Sequence, residues 1–287
     1  MNAIIRQDDQ IERQADSDQQ LIALWLHGRP ATTQRTYQDA MKRLFYYTDK
    51  PLASIALGDL QGFVDSLAAL SINSRKRIIA SVKSLFTFGQ KLGYLRFNVA
   101  AALKQPKSDN ELAQRILTEQ EVMAMILKTD KQRDRLLIRL LYASGARISE
   151  INGLTWGHVK PNGDTGQVTL FGKGGKTRAV KLSAATWKEL QEFRGGAKNE
   201  DPVFLSQKGG ALDQVQIHRI VKAAAARAGI AGNVSAHWLR HSHASHALDR
   251  GANIALVRDT LGHSSLAVTS RYTHAKPDQS SALHLAV

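Results

Sequence analysis

Cysteine is absent from the 287 residues of this chain. Disulfide-stapled secreted modules are therefore excluded, and so are zinc and iron–sulfur sites with cysteine ligands. No apolar run approaches the roughly 18–20 residues that a transmembrane helix needs. The N-terminal segment is acidic and rich in glutamine, without the apolar core of a signal peptide. We therefore expect a soluble cytoplasmic protein.

Acidic residues are scarce relative to basic ones, with 25 Asp and Glu against 39 Lys and Arg and a formal net charge of +14. An apolar fraction of 43% excludes wholesale disorder. The charge is uneven along the chain, with a net of −3 over residues 1–20, +9 over 21–108 and +8 over 109–287. Two basic bodies favour a polyanionic partner, most commonly nucleic acid, although a merely basic protein has the same composition.

Hydrophobic periodicity divides the chain into two domains, and its length allows a core in each. Residues 1–17 lack periodicity and are expected to form a flexible arm. Helical patterns fill 18–103, and the polar segment 104–115 is expected to be a linker. A second domain covers 116–276, with helices around one predicted β-hairpin, and 277–287 form a tail. The expected fold is mainly α with a small β-hairpin or sheet.

The predicted hairpin covers 167–182, QVTLFGKGGKTRAVKL, where alternation of apolar and polar residues replaces the helical period. Its glycine-rich tip carries Lys173 and Lys176, which suit a phosphate site or a DNA groove. A nucleotide-binding Walker loop is not expected, because these glycines precede a strand rather than a helix. The alternative is a hairpin tip that is simply solvated.

Two further stretches concentrate groups that bind phosphate. In YASGARISE, Arg147 is expected at a helix start, where its guanidinium joins free backbone N–H groups in a phosphate clamp. In SAHWLRHSHASHALDRG, His237 and Arg240 are three residues apart and project from one helix face. A histidine there can transfer protons while the arginine holds a phosphate oxygen.

The histidines of the second stretch also allow a metal site as an alternative. His237 with His241, and His243 with His246, have helical ligand spacing. The stretch lacks the glutamate of an H-E-x-x-H motif, and Asp249 is the one carboxylate nearby. His241 and His246 are therefore expected to be structural hydrogen-bonding residues.

The stretch LGHSSLAVTSRYTHAKP places His263 at a helix boundary and Tyr272 near the end of the next helix. A tyrosine phenol has a pKa of about 10, so it is a nucleophile only where positive charge favours the phenolate. Arg147, Lys173 and Arg240 can supply that charge. The alternative for Tyr272 is a residue of the core.

In this order, ARISE, GKGGKTR, HWLRHSHASHAL and LGHSSLAVTSRYTH resemble the tyrosine recombinase, or phage integrase, family and are most similar to its Xer-like bacterial branch. Two earlier stretches, TTQRTYQDAMKRLFYY and INSRKRIIASVKSLFTFGQKLGYLRFN, resemble that family's core-binding domain. The resemblance implies a two-domain DNA clamp, in which a helical, SAM-like core-binding domain precedes an α+β catalytic domain. It places the catalytic positions on Arg147, Lys173, His237, Arg240, His263 and Tyr272, with Glu150 and Lys176 as supporting residues. Among the basic residues of the first domain's helices, those expected to contact DNA are Arg35, Lys42, Arg75, Lys76, Arg77 and Lys83.

The resemblance implies a site-specific recombinase that cuts and rejoins DNA. Tyr272 attacks a DNA phosphate to give a 3′-phosphotyrosine, and the 5′ hydroxyl of a partner strand then displaces the tyrosine. Arg147, Arg240 and His263 stabilise the phosphate oxygens, the hairpin lysine protonates the leaving oxygen, and His237 assists proton transfer. No metal or cofactor is expected, since no carboxylate cluster suited to two magnesium ions lies near these motifs.

The implied partner is double-stranded DNA with inverted-repeat sites. It is bound by a homotetramer, or by a heterotetramer with a related recombinase, in which the tail 277–287 docks into a neighbouring protomer. No membrane partner is expected, and the location is the cytoplasm, in association with the nucleoid. A type IB topoisomerase, which relaxes DNA by similar chemistry, and a non-catalytic DNA-binding protein are the alternatives.

Overall fold

The computed structural model describes residues 14–106, 113–172, 175–263 and 265–272. The chain divides into two compact units between residues 109 and 110, and each unit has its own hydrophobic core. Residues 1–13 of the predicted arm and the whole predicted tail lie outside the described residues. Within the described ranges, no helix has both the length and the apolarity to cross a membrane.

Every regular element among the described residues of the N-terminal unit is helical. Its helices are α1 (Asp18–Leu26), α2 (Ala31–Thr48), α3 (Leu57–Ser66) and α4 (Ile72–Lys91), with 3₁₀ turns at Leu52–Ser54 and Val99–Ala102. The long helix α4 packs against α1, α2 and the second 3₁₀ turn. Its apolar residues recur at the helical period, so one face is buried; this face carries Ile79, Val82, Leu85 and Phe86.

The C-terminal unit is mainly helical, and one face of helix α6 lies in its core. The helices are α5 (Glu119–Leu127), α6 (Gln132–Ser144), α7 (Ile148–Asn152), α8 (Ala184–Arg194), α9 (Gln214–Ala228), α10 (Ala236–Asp249), α11 (Ile254–Leu261) and α12 (Leu266–Thr269). A capping box starts α5, because the Thr118 hydroxyl accepts from the Glu121 N–H and the Glu121 carboxylate accepts from the Thr118 N–H. Helix α6 packs against α5, α8 and α10, which brings α10 and its histidines close to the core.

An antiparallel sheet of three strands lies in the C-terminal unit, in the order β1 (Val159–Asn162), β2 (Thr165–Phe171) and β3 (Thr177–Lys181). The predicted hairpin is confirmed as β2 and β3, with Val168 opposite Val180. Strand β1 pairs with β2 but has no strand signal in the sequence. Its residues, VKPN, are few and mostly polar, and proline is tolerated in it because it is an edge strand.

The segment that precedes Tyr272 is less regular than the sequence predicts. The sequence places Tyr272 near the end of a helix, whereas α12 is a single turn and Tyr272 ends a 3₁₀ turn over Ser270–Tyr272. The β-branched Val268 and Thr269 favour helix only weakly, and the Ser265 side chain makes no capping hydrogen bond at the start of α12. This turn directs the Tyr272 ring into the unit, where it is 6% exposed.

Candidate active site

Three arginine side chains meet at the carboxyl end of α11. Each donates a hydrogen bond to one carbonyl oxygen there: Arg178 to Thr260 (2.6 Å), Arg240 to Leu261 (2.6 Å) and Arg147 to Gly262 (3.4 Å). The last carbonyls of a helix lack partners within the helix and carry a partial negative charge, which attracts cations. Helix α11 therefore anchors guanidinium groups that come from β3, from α10 and from the start of α7.

Glu150 lies between two of these arginines, and its side chain is 1% exposed. Its Oε1 accepts from Arg147 at 3.0 Å and from Arg178 at 2.7 Å, while Oε2 accepts from Arg178 at 2.8 Å and from the Arg147 backbone N–H at 2.7 Å. Burial raises the pKa of this carboxyl, but the hydrogen bonds from Arg178 and Arg147 outweigh burial and hold the pKa below its usual value. Glu150 is therefore a carboxylate that orients both guanidinium planes.

Arg240 is the most buried of the three arginines, with 4% of the residue exposed. Its guanidinium also donates to the carbonyl oxygen of Gly145. Burial, followed by the charges of Arg147 and Arg178, lowers the pKa of Arg240 to about 10, so it stays charged at neutral pH. Gly145 ends α6 with a φ of 58°, and a Cβ there would lie 2.5 Å from a methyl carbon of Leu261. Only glycine fits this turn.

The two predicted site histidines lie in the field of these arginines. Burial, then Arg240 and Arg147, lowers the pKa of His263 to about 4. Its Nδ1 lies 2.8 Å from the Thr269 hydroxyl. His237, in the first turn of α10, is exposed as a residue, yet partial burial of its ring and the charges of Arg240 and Arg147 lower its pKa as well. Both imidazoles are therefore neutral at neutral pH and can donate hydrogen bonds without adding charge.

Tyr272 belongs both to the site and to a small apolar cluster with Ala244, Val257 and Leu261. Its ring is nearly parallel to that of His263, with ring centroids 6.3 Å apart. Its hydroxyl lies 2.7 Å from Nδ1 of His241. His241 is therefore a hydrogen-bonding residue, as expected, and its partner is the predicted nucleophile.

The other histidines of α10 contact Tyr142 on α6. Nδ1 of His243 lies 2.8 Å from the Tyr142 carbonyl oxygen, and Nδ1 of His246 lies 2.8 Å from its hydroxyl. Among the residues that the structure describes, no group of three or more His, Asp or Glu side chains is arranged to hold a metal ion. His241, His243 and His246 thus hydrogen-bond to two tyrosines.

A cleft of about 660 Å³ opens beside the arginines. Its lining residues are Arg147, Gly172, Lys176, Thr177, Arg178, Asp259, Gly262, His263 and Val268. The lining thus contains three basic side chains and one carboxylate. Its net positive charge suits an anion such as a phosphodiester. Lys176 is the hairpin lysine that the structure places here, whereas Lys173 lies outside the described residues.

The predicted DNA-binding residues of the N-terminal unit differ in exposure. Arg35 and Lys42 on α2 and Arg77 on α4 are exposed, whereas Arg75, Lys76 and Lys83 on α4 are half-buried. The Lys83 ammonium donates to the carbonyl oxygens of Ala101 and Leu103, at 3.0 and 2.8 Å. Lys83 therefore ties the 3₁₀ turn at Val99–Ala102 to α4.

Arg178 is a functional candidate of the site that no sequence motif identifies. It lies two positions after Lys176, the spacing at which side chains along a strand share a face, and both residues line the cleft. That alternation is the one sequence signal for Arg178. Its partners, Glu150 and Thr260, are 28 and 82 residues away in the chain, and spacing along the sequence does not reveal them.

Comparison with known proteins gives consistent matches. The phage integrase family model matches residues 112–279. Tyrosine recombinase XerC of Xylella fastidiosa (strain 9a5c) is 35% identical over 223 residues, which cover 75% of this chain and 75% of that protein. XerC of Pelobacter propionicus is 32% identical over 214 residues, 72% of this chain and 70% of that protein.

Solved structures agree with the fold. XerH site-specific recombinase bound to difH substrate, in a pre-cleavage complex, superposes with a TM-score of 0.72 at 25% identity, over 95% of this chain and 85% of that chain. A lambda integrase dimer bound to a COC′ core site superposes with a TM-score of 0.75 at 18% identity, over 92% of this chain and 77% of that chain.

Proposed function

The chain belongs to the phage integrase family of site-specific tyrosine recombinases, and from this premise we propose that it cuts and rejoins DNA with Tyr272 as nucleophile. The observation that carries the proposal is the convergence of Arg147, Arg240 and His263 at the end of α11, with the Tyr272 ring stacked beside His263. This arrangement collects phosphate-binding donors around one tyrosine of the described chain.

In the cleavage step, the Tyr272 oxygen forms a bond to a DNA phosphorus while the bond from phosphorus to the 5′ oxygen breaks. Each guanidinium has five N–H donors, so Arg147 and Arg240 keep donors for the phosphate after bonding to α11. His263, neutral at neutral pH, donates a further hydrogen bond to a non-bridging oxygen. Fixed donors of this kind each contribute about 10²–10³-fold to the rate of such reactions.

We propose a hairpin lysine as the acid that protonates the leaving 5′ oxygen. Family resemblance supports Lys173, and the cleft lining supports Lys176 as the alternative. When sulfur replaces the 5′ bridging oxygen, the leaving group departs without being protonated by an acid. This substrate should therefore restore cleavage only to the variant that lacks the acid lysine. We expect restoration for Lys173→Ala. Restoration for Lys176→Ala instead would reverse the assignment.

The proposed partner is double-stranded DNA with inverted-repeat sites, since XerH, a related recombinase, is seen on difH substrate. We propose residues 18–103 as the core-binding domain, 104–115 as the linker, 116–276 as the catalytic domain and 277–287 as a tail that docks into another protomer of a tetramer. The resemblance supports these assignments. Because the proposed substrate is DNA, we also propose that the protein associates with the nucleoid. Deleting 280–287 should impair recombination more than DNA binding, and equal loss of both would contradict the docking role.

The test of the function is covalent trapping. DNA sites are first selected from a random duplex pool with the Tyr272→Phe protein, which binds but cannot cleave. The wild-type protein should then form an SDS-stable adduct on a nicked duplex that carries the selected site. Tyr272→Phe should form none, while Tyr142→Phe, which also removes a hydroxyl bonded to an α10 histidine, should still form it.

Each alternative function predicts a different result. A non-catalytic DNA-binding protein would give no adduct on any selected site. A type IB topoisomerase would relax supercoiled plasmids that lack the selected site, at a rate similar to plasmids that carry it. We expect adduct formation and no relaxation without the site.

A further inference from the structure

The Tyr272 hydroxyl has a close basic neighbour that differs from the histidine of the H-x-x-R motif. Nδ1 of His241 lies 2.7 Å from that hydroxyl, and the two ring centroids are 5.6 Å apart. His237, the motif histidine, lies one helical turn earlier, and its ring centroid is 6.4 Å from that of His241. Of these two histidines, His241 is therefore the one that touches the reacting oxygen.

From this contact we propose that His241, rather than His237, accepts the phenol proton of Tyr272 during DNA cleavage. The inference rests on the proposed function of Tyr272 as nucleophile. A neutral imidazole with its proton on Nε2 presents an acceptor at Nδ1, which is the atom that faces the tyrosine.

The remaining histidine near Tyr272 is less suited to this role. His263 directs its Nδ1 to the Thr269 hydroxyl, and its ring lies parallel to the Tyr272 ring. The surrounding arginines also hold its pKa at about 4, so it is a poor proton acceptor at neutral pH.

Charge near Tyr272 favours the same step. A negative charge on Tyr272 raises the pKa of Arg240, and this interaction is reciprocal, so Arg240 stabilises the phenolate. The site therefore offers an acceptor for the proton and a cation for the charge that remains.

The O–H bond of Tyr272 breaks and its proton moves to Nδ1 of His241, while the phenolate oxygen bonds to phosphorus. The bond between phosphorus and the 5′ oxygen breaks, and that oxygen takes a proton from the hairpin lysine. In rejoining, the attacking 5′ hydroxyl gives its proton to the lysine and its oxygen bonds to phosphorus. The bond from phosphorus to the Tyr272 oxygen breaks, and the imidazolium of His241 returns its proton to that phenolate.

The test uses His241→Asn, because the asparagine amide lies near the position of Nδ1 and can hydrogen-bond to the phenol but cannot take its proton. Adduct formation is measured in single turnover, with saturating protein, on the selected nicked duplex with either oxygen or sulfur at the 5′ bridging position. We expect His241→Asn to slow adduct formation about 100-fold on both substrates, because sulfur replaces the acid and not the base. His237→Asn should slow it less than His241→Asn on the sulfur substrate.

His246→Asn is the matched control, since His246 lies on the same helix and also bonds a tyrosine hydroxyl through Nδ1. Its adduct rate should stay close to that of the wild type. DNA affinity and melting temperature of each variant show that it is folded. If His241→Asn is unstable, His241→Ala with added imidazole replaces it, and recovery of the rate by imidazole is expected.

Three results would overturn the proposal. A wild-type rate for His241→Asn would mean that His241 only holds the tyrosine in place. Restoration of His241→Asn by the sulfur substrate would mean that His241 acts at the leaving oxygen. A folded His241→Ala whose rate imidazole does not restore would mean that the imidazole of His241 is not the proton acceptor. Absence of an adduct with the wild-type protein would instead contradict the proposed function itself.

Discussion

The two units of this chain differ in how many polar side chains they bury. Among the described residues, the N-terminal unit buries one polar side chain, that of Ser81, whereas the C-terminal unit buries nine, including Glu150, Arg240 and His246. A buried ion costs several kcal/mol unless it is paired and fully hydrogen-bonded. Among its described residues, the N-terminal unit buries no charged side chain. In the C-terminal unit the carbonyls of α11 and the carboxylate of Glu150 compensate the buried arginines.

The comparison separates two uses of positive charge. Arg35, Lys42 and Arg77 are exposed on the surface of helices, where positive charge would attract a polyanion over a distance. Arg147, Arg178 and Arg240 are held by named acceptors, so their remaining donors have fixed directions. Surface charge suits affinity, and anchored charge suits the stabilisation of one phosphate in a transition state.

The strongest test of this contrast is the removal of Arg240. We expect Arg240→Met to slow adduct formation about 1000-fold, as for loss of an anchored donor. It should also lower the free energy of unfolding by about 2–3 kcal/mol, since the Gly145 and Leu261 carbonyls lose their partner. Single-turnover cleavage and urea titration measure the two effects. Arg77→Met, on the surface of α4, is the control, and equal effects of both variants would remove the distinction.

Removal of Arg178 tests whether anchoring works through Glu150. Arg178→Met leaves a buried carboxylate with one partner fewer, which we expect to lower the free energy of unfolding by about 3 kcal/mol. Misplacement of Arg147 should slow cleavage about 100-fold. In a double-mutant cycle, adding Glu150→Gln should recover part of the lost stability. Strictly additive losses would show that Arg178 does not act through Glu150.

Surface charge should behave differently from anchored charge. Lys42→Gln should weaken DNA binding and reduce the slope of log affinity against log salt by about one, with no change in the cleavage rate at saturating protein. Lys83→Gln is the matched comparison, because Lys83 donates to the Ala101 and Leu103 carbonyls. We expect it to lower the melting temperature, which Lys42→Gln should leave unchanged. The reverse pattern would contradict the assignment of Lys83 to structure.

The smallest expected effect concerns the pH dependence of stability. The pKa of His263 falls from 6.5 to about 4 on folding, so between these values the unfolded chain binds more protons. The free energy of unfolding should therefore rise with pH from about 4 to 6.5, and this contribution should be complete above pH 6.5. His263→Asn should make the rise in melting temperature with pH less steep. The remaining rise should come from His237 and His243, whose pKa values are also lowered. An unchanged slope would contradict the pKa shift.

The sequence predicts local features of the fold well. The helical N-terminal unit, the capping box at Thr118 and the hairpin of β2 and β3 follow from periodicity and residue type. Arg147 lies at a helix start, as its position after a glycine and an alanine indicates. These features depend on neighbours within a few residues, which the sequence displays directly.

Features that depend on distant residues are not predictable in this way. Arg240 bonds Gly145, 95 residues away, and Arg178 bonds Glu150, 28 residues away. Strand β1 has too few residues for an alternating pattern. The contact of Tyr272 with His241 depends on the 3₁₀ turn that follows α12, and periodicity indicates a continuous helix there.

The carboxyl end of α11 has one further consequence. Its three acceptors are backbone carbonyls, so their chemistry is the same whichever side chains occupy the helix. Their directions depend on the helical register, because one residue more or less in α11 turns its end by about 100°. The directions of the three arginines are therefore set by how many residues α11 contains, whereas its outward side chains, such as that of the exposed Leu256, supply none of the three acceptors.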